Sequence, residues 1–272
     1  MIARVLIIAG SDSGGGAGIQ ADIKAVTMLG GHAMTAITAI TAQNTLGVQA
    51  VHTVPTDTVL AQIESVVSDI GVDAVKIGMI GSAETANAVA DRLATLGVPI
   101  VFDPVMVATS GSVLADGEIV AAFARLMRVA TVTTPNLPEL AVLGGEAALL
   151  ADGITLLVKG GHDAGESVID RVVYPDGAEA RWSGPRLDTL HSHGTGCTLA
   201  SAVATGLAQG LALDVAVDRG ICFVRAALVH APGIGGGHGP MGPAMGAMPF
   251  YHLLAATSTD GWDASAFAAR WA

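Results

Sequence analysis

Val5-Leu6-Ile7-Ile8-Ala9-Gly10-Ser11-Asp12-Ser13-Gly14-Gly15-Gly16-Ala17-Gly18-Ile19-Gln20-Ala21-Asp22 passes from an apolar β-branched run into a glycine loop and then into residues of helical spacing. The run predicts a buried strand over Val5–Ala9, a loop over Gly10–Gly16 and a helix from Ala17 to Leu29. Glycines let a ligand approach the backbone, and the helix start offers free N–H groups. The stretch does not complete the dinucleotide pattern G-x-G-x-x-G, and it lacks the lysine of a P-loop.

The same alternation continues outward. Strands are expected over 36–42, 48–54, 74–77, 100–102, 131–133 and 155–158, with helices over 56–70, 82–96, 116–127, 195–210 and 214–231. Strand–helix alternation at this spacing implies βαβ units and a mostly parallel sheet covered on both faces. Val168–Tyr174 and Glu179–Trp182, joined by Pro175-Asp176-Gly177-Ala178, break the rhythm and read as an antiparallel hairpin at a sheet edge. Ligands of such a sheet bind beyond the carboxyl ends of its strands, so chemistry is expected just after each strand.

Composition narrows the functions. The 272 residues hold 13 Lys plus Arg against 24 Asp plus Glu, for a net charge of −11, and 35 glycines. An acidic balance excludes nucleic acid and anionic membrane surfaces as partners. Segments 25–56, 193–213 and 226–259 carry no Asp, Glu, Lys or Arg. Each is long enough to span a bilayer, but Gln43-Asn44-Thr45, several histidines and four prolines in the last make them poor membrane helices. Val5–Ala9 is too short for a signal-peptide core. Two distant cysteines, Cys197 and Cys222, form no disulfide framework. A cytoplasmic protein is expected.

Four constellations follow strands. The glycine loop is the first. The second is His193-Gly194-Thr195-Gly196-Cys197-Thr198, where backbone N–H groups at a helix start make an anion hole without a cation. An isolated cysteine is as a rule a small packing residue. Gly194-Thr195-Gly196 before it turns the reading toward a general base, whose thiol the helix dipole is expected to lower. The third is Lys159, one of three lysines and next to a buried strand, placed to reach phosphate oxygens. The fourth pairs Asp103 with Glu139, two carboxylates at strand ends suited to a hydrated Mg²⁺.

Gly10–Asp22 (GSDSGGGAGIQAD), Ala39–Gly47 (AITAQNTLG), Lys76–Met79 (KIGM), Asp103–Met106 (DPVM), Pro135–Glu139 (PNLPE), Lys159–His162 (KGGH) and Gly194–Cys197 (GTGC) occur in this order. Over about residues 1–242 the chain resembles the bacterial hydroxymethylpyrimidine/phosphomethylpyrimidine kinases of thiamine biosynthesis, in the ribokinase-like superfamily. The resemblance implies a three-layer α/β/α sandwich and two ATP-dependent phosphorylations. These convert 4-amino-5-hydroxymethyl-2-methylpyrimidine to its monophosphate and then to the diphosphate.

It further implies that Gln43 bonds the aminopyrimidine edge, with Asp22, Gly10, Met79 and Val105 completing the pocket. Cys197 would be the base, Gly194, Thr195 and Gly196 with Cys197 the anion hole, Lys159 and Thr195 the ATP-phosphate contacts, and Asp103 and Glu139 the Mg²⁺ carboxylates. A homodimer is implied as well. A pyridoxal kinase of the same fold is the alternative enzyme, and a nucleotide-binding regulator the alternative class. The intact Cys197, Lys159, Asp103 and Glu139 speak against a regulator. The chain departs from the family at His191-Ser192 and at a short 141–153 link where a long helix is usual. Residues 1–243 are expected to form the kinase domain, and 244–272 an extension packed on it.

Overall fold

The computed structural model describes residues 2–108, 111–162 and 165–243. The expectations for 244–272, including the helix-like 263–271, lie outside the described residues. One nine-stranded sheet runs through the rest, in the order β3-β2-β1-β4-β5-β6-β7-β8-β9. Its strands are β1 (Ala3–Asp12), β2 (Gly31–Asn44), β3 (Gly47–Thr53), β4 (Ala74–Ile77), β5 (Ile100–Phe102), β6 (Val132–Thr133), β7 (Leu156–Val158), β8 (Ser167–Val173) and β9 (Glu179–Pro185). The helices are α1 (Gly18–Met28), α2 (Thr56–Asp69), α3 (Ala83–Leu93), α4 (Gly117–Val129), α5 (Leu137–Val142), α6 (Glu146–Ala151), α7 (Thr195–Ala208) and α8 (Leu213–Val229).

Alternation along each strand divides the core in two. Leu6, Ile8, Val75, Ile77 and Phe102 face α2, α3 and α4. Val5, Ile7, Ala9, Val101 and Leu157 face α1, α7 and α8. Central strands flanked by helices on both faces must be apolar throughout, which is why they read as continuous hydrophobic runs. Residues Thr198–Gly206 of α7 are buried without interruption. A helix so enclosed carries no charge, and this accounts for one of the three uncharged segments.

Three local readings change. β1 does not stop at Ala9: after a register shift at Gly10 it pairs on, Ser11 with Ile40 and Asp12 with Thr41. The length of β2 supplies partners that the glycine-rich sequence of β1 does not advertise. β2 and β3 form a second antiparallel hairpin, opposite the expected β8–β9 pair. The 141–153 link is folded rather than bare, since α5 and α6 bury Leu140 and Leu149 in the core. No helix among the described residues is long and apolar enough to cross a membrane.

Candidate active site

The carboxyl ends of the parallel strands open into one cavity of about 1640 Å³. On the β1–β2 side Gly10, Gln43, Met79 and Val105 line it; in the middle Glu139, Lys159, Thr195, Gly196 and Cys197; on the β9–α8 side Trp182 and Arg225. Ten of the sequence-selected positions, Gly194 and those from Gly10 to Cys197 above, therefore line one space.

Helix α7 begins at Thr195 with Gly194 as a left-handed cap, φ 85°. A β-carbon on Gly194 would collide with the carbonyl oxygen of Gly16, so the loop before α7 is seated directly on the glycine loop after β1. The N–H groups of Gly196 and Cys197 belong to the first turn, which has no intrahelical acceptors. Both residues line the cavity, where the sequence reading expects an anion hole.

Lys159 at the end of β7 donates to Asp103 Oδ1 at 2.7 Å and lies 3.9 Å from Glu139 Oε2. Thr134 donates to the same Asp103 oxygen at 3.0 Å. Burial raises the Asp103 carboxyl, but Lys159 and Lys76 outweigh it and hold the group below the usual carboxylate value. Glu139 goes the other way: burial and the neighbouring Asp103 charge raise it against the pull of Lys159. Glu139 also closes a capping box, its Oε2 accepting from Asn136 N and its own N–H donating to Asn136 Oδ1, both at 2.8 Å. Asp103 stands just behind the wall, 3.6 Å from where a β-carbon on Gly196 would be.

No cluster of three His, Cys, Asp or Glu is present among the described residues. Two buried carboxylates sharing one ammonium still fit Mg²⁺, which takes one or two carboxylates and completes its shell with water and phosphate.

Cys197 departs from expectation. Its thiol is pushed up to about 11, because burial, reinforced by Asp22 and Asp103, exceeds the opposing pull of Lys76 and the Gly18 N–H aimed at the sulfur. A helix start does lower a thiol, but here dehydration is the larger effect.

A model of the phosphomethylpyrimidine kinase family matches residues 12–242. The chain belongs to the phosphomethylpyrimidine kinase family. It is 49% identical to the hydroxymethylpyrimidine/phosphomethylpyrimidine kinase of Streptomyces coelicolor over 87% of this chain and 93% of that one. Among solved structures it is similar to the ADP complex of Bacillus subtilis pyridoxal kinase, with a TM-score of 0.83, 30% identity and coverage of 91% of this chain and 100% of that one. It is also similar to the phosphomethylpyrimidine kinase of Clostridium difficile 630, with a TM-score of 0.73, 36% identity and coverage of 84% and 99%. The ribokinase-like fold is thereby shown.

Within the phosphomethylpyrimidine kinase frame, Asp22 does not line the cavity. It is fully buried, its two oxygens accept from Lys76 Nζ at 3.0 and 2.8 Å, and Oδ1 also accepts from Ser201 Oγ at 2.8 Å. It anchors the lysine beside Cys197 rather than forming pocket wall. Lys76 itself, fully buried in β4, borders the cavity, and the sequence reading passes over it. The signal was there: a charge inside Ala74-Val75-Lys76-Ile77 needs a buried partner. Asp12 and His193, 3.0 Å apart across 181 residues of sequence, were also missed.

Proposed function

We infer that this chain transfers the terminal phosphoryl group of ATP to the hydroxymethyl oxygen of 4-amino-5-hydroxymethyl-2-methylpyrimidine, and then a second phosphoryl to the monophosphate. The diphosphate so formed serves thiamine biosynthesis, as the family's members do. One observation carries the reading: a single cavity joins Gln43, Cys197 and the first turn of α7.

Gln43 offers a donor and an acceptor to the heteroaromatic edge, with Gly10, Met79 and Val105 against the ring faces. The attacking oxygen lies against Cys197, whose thiol first gives its own proton to solvent and whose thiolate then takes the hydroxyl proton. Lys76 and the Gly18 N–H favour the thiolate, and a loose phosphoryl-transfer transition state asks little of the base. The N–H groups of residues 194–197 hold charge on the phosphoryl oxygens as it passes. Lys159 and Thr195 contact the ATP phosphates. Asp103 and Glu139 are the carboxylates for Mg²⁺, which when bound neutralises phosphate charge. With this reading goes a cytoplasmic enzyme that works as a homodimer, which the family resemblance supports.

The similarity to a pyridoxal kinase structure favours one second reading, phosphorylation of pyridoxal. Purified protein with Mg-ATP is offered the hydroxymethylpyrimidine, its monophosphate or pyridoxal, and ADP release is followed. Turnover of both pyrimidines at kcat/KM at least tenfold above pyridoxal is expected. Turnover of pyridoxal alone would replace the main reading by the second.

A further inference from the structure

Asp12 closes β1 and is 3% exposed. Its Oδ1 accepts from Gly14 N at 2.8 Å, and its Oδ2 from Gly16 N at 3.1 Å and Ala17 N at 2.8 Å. The same Oδ2 is 3.0 Å from His193 Nε2. That ring nitrogen lies 3.2 Å from the side-chain amide group of Gln43 at the position of Nε2, and the position of Oε1 lies 3.0 Å from Thr41 Oγ1. Thr41 Oγ1 in turn is 3.0 Å from the carbonyl oxygen of Ser11.

Counting protons orients this chain. The Thr41 hydroxyl has one proton and two acceptors in reach, the Ser11 carbonyl and the Gln43 amide oxygen, so it suits either orientation of the amide. With its proton on the Ser11 carbonyl, Thr41 presents lone pairs to an amide NH₂. At the far end the Asp12 carboxylate only accepts, so His193 Nε2 carries a proton, and the amide oxygen must face His193. The His193 end decides: the reverse placement sets N–H against N–H there, whereas Thr41 serves either end of the amide, so we assign the amide with its oxygen toward His193.

We propose that His193, held by Asp12, is a positioning residue that fixes the direction of the Gln43 amide and with it which way round the pyrimidine lies. This rests on Gln43 being the ring contact. The amide's open edge presents its remaining N–H on the Thr41 side and a carbonyl lone pair on the His193 side. An aminopyrimidine matches it with the ring nitrogen toward Thr41 and the exocyclic amine toward His193. The carbon bearing the hydroxymethyl group adjoins the one bearing the amine, so the reacting hydroxyl falls on the His193 side. That side continues directly into Gly194–Cys197. A reversed amide would turn the ring over and carry the hydroxyl away from the anion hole.

The test crosses enzyme with substrate, using 5-hydroxymethyl-2-methylpyrimidine, which lacks the 4-amino group, as the probe. For the wild type, deleting the amine is expected to lower kcat/KM about 100-fold, as a site built to bond a polar group rejects its absence. In His193→Leu the same deletion is expected to cost less than fivefold, with KM for ATP within twofold of wild type. His193→Gln, which keeps an N–H toward Asp12, restores most of the discrimination.

An undiminished penalty in His193→Leu, with the penalty lost in Gln43→Ala, overturns this proposal and leaves the function standing. No penalty in the wild type, or one that survives Gln43→Ala, overturns the ring contact and the proposal together. Should His193→Leu fail to fold, Thr41→Val removes the partner that serves either end of the amide and is expected to keep the discrimination; discrimination lost there is equally decisive against the proposal.

Discussion

The sulfur of Cys197 receives the Gly18 N–H and the field of Lys76, yet burial with Asp22 and Asp103 leaves its thiol at about 11. At neutral pH the ligand-free site therefore holds a thiol, and the thiolate fraction grows about tenfold per pH unit until the pKa is reached. Alkylation of Cys197 by iodoacetamide, followed by peptide mass spectrometry, is expected to accelerate from pH 7 to 10 without a plateau. The exposed Cys222 is removed as Cys222→Ser so that it does not compete. Lys76→Met slows the reaction at every pH, because the cation that most favours the thiolate is gone. A plateau at or below pH 8 would contradict the buried-thiol reading. Cys197→Ala should keep ATP and pyrimidine binding while losing turnover by about 10²–10⁴-fold, the usual worth of a general base. At this scale the sequence exposes what sits in short motifs, such as Gln43 and Cys197. It conceals what only the fold brings together, such as Asp12 with His193 or Asp22 with Lys76.

Secondary elements were legible wherever side chains alone decide them. Ser82 caps α3 by accepting from Thr85 N at 3.0 Å, and Asp116 caps α4 by accepting from Ile119 N at 2.9 Å, both as their residue types suggest. Element ends that depend on a neighbour were not legible, as the continuation of β1 through Gly10 to Asp12 shows. The junction before α7 is the element on which the proposed anion hole depends, and it can be probed at one atom. Gly194 has φ 85° and its β-carbon would strike the Gly16 carbonyl, whereas Gly97 has φ 64° and nothing within 4 Å. Alanine at either position pays the left-handed backbone penalty of about 1–2 kcal/mol. Only Gly194→Ala also separates the two loops. Urea unfolding is expected to show the larger loss for Gly194→Ala, and turnover to fall at least 100-fold there while Gly97→Ala keeps its activity. Equal turnover in the two variants would mean that the loop contact does not shape the site.

Across the whole molecule, the parallel centre of the sheet follows from the βαβ rhythm, while the β2–β3 pairing that finishes one edge needed the structure. Each antiparallel edge carries one end of the cavity: Gln43 on the β2 overhang, Trp182 on β9 beside α8. On the proposed reading the pyrimidine lies toward the β2 edge and ATP runs from α7 toward the β9 edge. Ligand binding to the native state alone stabilises it by about 2.7 kcal/mol at a concentration of 100 Kd. For a domain of this size that corresponds to a rise in Tm of about 5–10 °C. ATP with Mg²⁺ and the hydroxymethylpyrimidine should each produce such a shift in differential scanning fluorimetry. Gln43→Ala should abolish the pyrimidine shift and keep the nucleotide shift, and Lys159→Met the converse. Loss of both shifts in either variant would mean that the cavity behaves as one undivided site, because an edge that served only one ligand would leave the other's stabilisation intact.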